Sequence, residues 1–189
     1  MPRIQTHGRP FAAVALMCLV ATFIMLSLIA CGTSQGQSDP ATPTTPAASS
    51  TDARFDFQST TIQGEKVALS DYSDARVILV NMWEPCCGPC VGEMPDLERL
   101  YETYQDQGFL IIGAYSTVSQ KDDALAIMAQ CGTTYPVVYE NDDFNAFKSG
   151  YVPTSFIVDG QGNVLSDLIV GSHSYEDWEK IITPYLQGN

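Results

Sequence analysis

Asn81-Met82-Trp83-Glu84-Pro85-Cys86-Cys87-Gly88-Pro89-Cys90-Val91-Gly92-Glu93-Met94-Pro95 joins two segments of different hydrophobic period. Upstream, Arg76 to Trp83 is an almost continuous apolar run, the pattern of a strand buried on both faces. Downstream, Met94, Leu97, Leu100, Tyr101 and Tyr104 recur at helical spacing towards a stop near Gly108. The cysteines therefore fall where a buried strand hands over to a helix. A thiol at that junction meets unpaired backbone N–H groups and the positive end of the helix dipole. Both favour the thiolate, the species that attacks a disulfide. A second thiol about one turn on is close enough to break the mixed disulfide and release the product. Gly88 permits a tight approach, and Pro89 fits a first helical turn, where a missing N–H costs little. A Cys-x-x-Cys pair also serves as half a zinc site or as a static staple. The zinc reading lacks a second ligand pair, because Cys131 is isolated and His173 is the only histidine beyond the first 30 residues.

Working outward, Phe55, Phe57 and Ile62, with Val67 and Leu69 beyond Gly64, predict short early strands around a turn. Phe109 to Tyr115 reads as a second buried strand. Asp122 and Asp123 open a helix that runs through Leu125, Ile127 and Met128 to Gly132. A short strand at Pro136–Tyr139 and a short helix around Phe144 and Phe147 follow. Thr154–Val158 and Val164–Val170 flank Asp159-Gly160-Gln161-Gly162-Asn163, a hairpin signal. Trp178, Ile181, Ile182, Tyr185 and Leu186 share one face of a last helix. This order predicts an α/β domain, a central sheet covered on both sides.

The N-terminal stretch is of another kind. Arg3, His7 and Arg9 precede an apolar run from Phe11 to Ala30, and no acidic residue occurs before Asp39. That is the layout of a secretory signal at residues 1–30, although a segment of this length also suffices to span a bilayer. Leu28-Ile29-Ala30-Cys31, followed by Gly32, resembles a bacterial lipobox, which makes Cys31 a lipidation site and favours the signal reading. No twin-arginine pair is present, so general secretion is the expected route. Residues 31–52 hold no aromatic and no large aliphatic side chain, which makes them a flexible tether with a reach of roughly 25 Å. Residues 53–189 then suit one compact domain. With residues 1–30 set aside, Arg3 and Arg9 are gone and 7 basic face 22 acidic residues, net −15. That balance argues against nucleic acid and anionic lipid headgroups as partners.

The segment from Trp83 to Pro95 resembles the active-site region of thioredoxin-fold proteins of the TlpA/ResA type, membrane-tethered disulfide reductases of bacteria. Cys87-Gly88-Pro89-Cys90 is the thioredoxin tetrapeptide, and Trp83 with Glu93-Met94-Pro95 is the wider pattern of the subgroup. Gly150-Tyr151-Val152-Pro153-Thr154-Ser155-Phe156-Ile157-Val158-Asp159 resembles the family's segment carrying a cis-proline before a strand. The resemblance runs from about Phe55 to the C-terminus. It implies a thioredoxin-like fold, Cys87 as nucleophile and Cys90 as resolving thiol, joined as a redox-active disulfide in the oxidised form. It further implies a substrate surface of Trp83, Gly88, Pro89, Val152, Pro153 and Thr154, with the backbone of Val152 pairing with a bound peptide. Glu93 is either a proton carrier for Cys90, if burial raises its pKa, or a solvated first-turn carboxylate. Pro95 is expected to kink its helix.

Two departures bear on function. Where the family usually has an aromatic residue before the first active-site cysteine, this chain has Cys86, a thiol that competes for the mixed disulfide, bridges to a partner, or is simply a tolerated small residue. Cys86 also creates Cys86-x-x-x-Cys90 with His173 downstream, which is similar to the Sco copper chaperones and raises copper(I) delivery as an alternative. Cys131 reads as a buried small hydrophobe. A peroxidase of the peroxiredoxin kind would need Thr or Ser ahead of its cysteine, and Asn81 to Cys90 contains neither. A binding lipoprotein with an inert, structural disulfide is the non-enzymatic alternative. The resemblance favours an extracytoplasmic protein disulfide reductase, anchored at the outer face of the cell membrane and needing no cofactor or metal. Its expected partners are disulfide-containing proteins, such as apocytochrome c or a methionine sulfoxide reductase, and a CcdA- or DsbD-like membrane thiol transporter.

Overall fold

The computed structural model describes residues 53–188, so the signal, Cys31 and the tether lie outside the described residues. The chain forms β1 (Gln58–Thr60), β2 (Lys66–Ala68), β3 (Val77–Met82), α1 (Gly88–Tyr104), β4 (Phe109–Tyr115) and α2 (Lys121–Cys131). β5 (Val137–Tyr139), β6 (Thr154–Val158), β7 (Ile169–Val170) and α3 (Tyr175–Gln187) complete it. The main sheet has the order β5-β4-β3-β6-β7. β4 lies parallel to both β3 and β5, while β6 is antiparallel to β3 and β7. The chain belongs to the thioredoxin-like α/β class, with a mixed central sheet.

β3 is the middle strand and all six of its residues are buried, as its unbroken apolar run requires. Side chains alternate across a strand, so Val77 and Leu79 join one core and Ile78, Val80 and Met82 the other. The first core takes Met94, Leu97 and Leu100 of α1 together with Trp178, Ile182 and Leu186 of α3. The second is built around Phe55, Phe57, Phe144 and Phe156, with Phe147 stacked on Phe156 at 4.2 Å between centroids. The helix expected around Phe144 is a 3-10 turn over Asp142–Phe147, started by Asn141, whose side chain accepts from Asp143 N–H.

Two expectations change in detail. The hairpin turn forms, with Asp159 Oδ1 accepting from Gln161 and Asn163 N–H, both at 2.9 Å. Its second strand, expected over Val164–Val170, is broken. Val164 bridges Val158 and Ile169–Val170 pairs with Ser155 and Thr154, but the return path carries two more residues than β6 between those pairs. The extra length loops out at Ser166 and Asp167, where Ser166 Oγ takes the N–H of Ile157 at 2.9 Å. In α1, the helix span continues across Pro95. A proline has no N–H to give, which leaves the carbonyl of Val91 without its usual helix donor. The Cys131 thiol faces that carbonyl at 3.9 Å, so Cys131 is a half-buried donor as well as a small hydrophobe.

Candidate active site

α1 begins at the pair of cysteines. Cys87 is its N-cap, in extended conformation, and its Sγ accepts from the N–H of Cys90 at 3.2 Å. Gly88 and Pro89 occupy the first exposed positions of the helix. Cys87 and Cys90 are joined as a disulfide. They differ in access: Cys87 is half-buried, whereas Cys90 is 1% exposed. An incoming sulfur therefore reaches Cys87 first. The Cys87 Sγ also lies 3.6 Å from the carbonyl oxygen of Val152, the residue before Pro153, and the Val152–Pro153 peptide is cis.

The residues expected around the pair divide into two layers. Gly88, Pro89 and Val152 are exposed beside Cys87, with Pro153 buried just behind Val152. Trp83 and Thr154, expected on the same surface, are buried and support it from beneath. Trp83 is packed against Tyr115 at 5.7 Å between centroids. Thr154 Oγ1 donates to the carbonyl of Tyr151 at 2.6 Å, which fixes the turn leading into the cis peptide.

Glu93 lies one turn after Cys90 on the buried face of α1 and is 3% exposed. Its Oε1 accepts from Asn81 Nδ2 at 3.0 Å, and Oε2 accepts from the backbone N–H of His173 at 3.1 Å and from Trp178 Nε1 at 3.3 Å. Burial disfavours its charge more than these three donors favour it, with Asp96 adding to the rise, and its pKa is pushed up from 4.5 to about 6. A solvated first-turn glutamate is thereby replaced by a buried carboxyl that changes charge near neutral pH.

Asn81, Ser155 and Trp178 complete this network, and none of them stood out as functional in the sequence. Asn81 carried a signal, being a polar residue inside a run buried on both faces. It follows Val77 and Leu79 on the side covered by α1, where Glu93 can reach it. Its amide also donates to Ser155 Oγ of β6 at 3.0 Å. Glu84 was missed as well. Its carbonyl accepts from Cys87 N–H at 3.0 Å and its Oε1 accepts from Ser116 N–H at 3.0 Å, so it ties the active-site turn to the end of β4.

The copper ligands are not gathered. Cys90 is bonded to Cys87, Cys86 is exposed, and His173 packs its ring edge-on to Trp178 at 4.9 Å. Among the described residues no three His, Cys, Asp or Glu side chains form a metal-holding group.

A cis-proline loop facing an N-capping, accessible cysteine with a buried partner, all on a mixed five-stranded sheet, defines a thioredoxin-fold thiol–disulfide oxidoreductase. The chain belongs to the AhpC/TSA family, whose model matches residues 51–166. Within it, the chain is of the ResA type. It is 35% identical over 127 residues to the thiol-disulfide oxidoreductase ResA of Geobacillus kaustophilus (strain HTA426), covering 66% of this chain and 71% of that one. It is 33% identical over 134 residues to ResA of Bacillus thuringiensis (strain Al Hakam), covering 68% and 75%. Among solved structures it resembles a thiol:disulfide interchange protein of the thioredoxin family from Chlorobium tepidum TLS. That match has a TM-score of 0.62 and 28% identity, and covers 70% of this chain and 94% of that one.

Proposed function

We propose that this chain is an extracytoplasmic protein disulfide reductase, held at the outer face of the membrane by lipid on Cys31. The observation that carries the reading is the asymmetry of the pair: an accessible Cys87 touching the Val152 carbonyl, bonded to a buried Cys90 one turn from Glu93. In the reduced form the Cys87 thiolate attacks a substrate disulfide, giving a Cys87–substrate mixed disulfide and one free substrate thiolate. Cys90 then gives its proton to Glu93 and attacks Cys87 Sγ, which closes the Cys87–Cys90 bond and releases the second substrate thiolate. Before the first attack, the Cys90 N–H steadies the Cys87 thiolate. Each turn consumes two electrons, supplied by a membrane thiol transporter of the CcdA or DsbD kind. No cofactor enters the exchange. Disulfide-bonded exported proteins are the substrates, with apocytochrome c and methionine sulfoxide reductase as the two classes to try first.

The test is a redox titration against dithiothreitol, with mass spectrometry locating the bond. A reversible two-electron transition at Cys87–Cys90 is expected, together with a trapped substrate adduct on Cys87 in Cys90→Ser. An inert pair would leave a structural disulfide in a binding lipoprotein. A bond from Cys86 instead would reopen copper delivery. Labelling with a fatty-acid analogue should vanish in Cys31→Ala, and labelling that persists would sink the anchor.

A further inference from the structure

Most apolar side chains of the described residues are buried, and Tyr151 is the clearest departure, at 74% exposed. It stands directly before Val152, whose carbonyl touches Cys87 and whose side chain is 42% exposed. The exposed ring stands on a fixed base. Tyr151 donates its N–H to Ser149 Oγ at 3.2 Å and accepts from Thr154 Oγ1 at 2.6 Å, and the two hydroxyls lie 2.6 Å from each other. Two hydrogen bonds thus hold the backbone of a residue whose ring the fold does not use, and a third links the two hydroxyls that make them. On a fixed backbone a tyrosine side chain has only two torsions left to immobilise on contact, which is why tyrosines so often anchor interfaces.

From Ser149 to Val158 the chain carries no charged side chain, and of the acids that follow, Asp159 is answered by Arg54, Asp177 by Lys180 and Glu179 by Arg99. Charge acts on this loop through the domain as a whole, whose residues 53–188 hold 7 basic and 20 acidic side chains. Lys148, just before the loop, is paired with Glu140. Beyond the loop, Val170 is 50% exposed on β7, where it pairs with Thr154, and Gly171 donates to the Pro153 carbonyl at 2.9 Å. The apolar surface around Cys87 therefore continues onto an edge strand with no cation of its own.

Resting on the disulfide exchange proposed above, we infer that Tyr151 is a specificity residue that reads the substrate: it selects extended, positively charged polypeptide segments with a large apolar side chain next to the reactive cysteine. The Val152 carbonyl sets the substrate backbone against Cys87, and the neighbouring substrate side chain then lies on the Tyr151 ring. The net negative charge of the domain raises the local concentration of basic segments and does so less as salt screens it.

The test uses the full chain, purified in mild detergent, and three disulfide-linked peptides built around Lys-Phe-Cys, Lys-Ser-Cys and Glu-Phe-Cys. The Lys-Phe-Cys peptide should be reduced with a kcat/KM about tenfold above Lys-Ser-Cys, the scale of one apolar contact. It should also exceed Glu-Phe-Cys several-fold at low salt, with a gap that narrows at high salt. In Tyr151→Ser the Phe-to-Ser preference should fall towards one. Tyr151→Phe should retain it, since the ring and not the hydroxyl makes the contact. Leu165→Ser, which removes another exposed apolar side chain elsewhere on the hairpin, should also retain it. A preference that survives Tyr151→Ser, or a wild-type chain that treats the three peptides alike, overturns the inference while leaving the exchange reaction intact. Failure to reduce any of the three overturns both.

Discussion

At the scale of single residues, the site turns on how burial and hydrogen bonding compete at Glu93. Three donors face its carboxylate, yet the buried position wins and the group protonates near pH 6 instead of 4.5. The shift is worth about 2 kcal/mol. Because the folded-state pKa is raised, the fold prefers the protonated carboxyl. Stability is unaffected by this group below pH 4.5, where folded and unfolded chains both carry the proton, and falls as pH rises through about 6. Glu93→Gln should remove most of that slope, measured by urea unfolding between pH 4.5 and 7.5. The same variant should flatten the pH–rate profile of the resolving step near pH 6 if, as proposed, Glu93 takes the proton of Cys90. A profile with the wild-type inflection in Glu93→Gln would assign the proton transfer to another group.

At the scale of elements, α3 supports the site directly, while the β6–β7 turn secures the far end of β6. α3 brings Trp178 to Glu93, and its N-cap Ser174 follows His173, whose N–H serves the same carboxylate. Ser174→Ala removes the cap on Asp177 N–H and should cost about 1 kcal/mol in urea unfolding. A loss well below that would mean α3 is held by Trp178 and Ile182 alone. In the turn, Gly162 has φ +82°, and a β-carbon there would come within 2.2 Å of the Phe55 carbonyl, the residue that opens the phenylalanine cluster. Gly162→Ala should therefore destabilise by at least about 2 kcal/mol, read by the same unfolding curve. The elements were legible in the sequence where one periodicity ran undisturbed, as in β3, β4 and α1. β7 was not, because Val164–Val170 reads as a strand while Ser166 quietly substitutes its hydroxyl for a ladder partner. The same limit applied to the site. Cys87 and Cys90 are adjacent to a recognisable helix start, whereas Asn81, Ser155 and Trp178 become one network only through β3–β6 pairing and the packing of α3.

At the scale of the whole molecule, the disulfide and the fold are thermodynamically linked. The oxidised and reduced folded chains, with their two unfolded counterparts, close a cycle, so any preference of the fold for the disulfide appears both as a lowered potential and as extra stability of the oxidised form. About 30 mV of potential corresponds to about 1.4 kcal/mol of that difference. A reductant must hold its disulfide more firmly than the unfolded chain does, whereas a strong oxidant is one whose reduced form is the more stable. The two core layers make this coupling global. β3 separates them, Cys90 is part of the α1 and α3 layer, and Cys87 packs at its margin. A change in the pair is thus felt by side chains that secure both helices to the sheet. The proposed role as a reductant predicts that the oxidised chain unfolds at a higher urea concentration than the reduced chain, by an amount matching the potential measured independently against dithiothreitol. The opposite order would make this protein an oxidant or isomerase with the same exchange chemistry, and it would remove the need for a transporter that delivers electrons across the membrane.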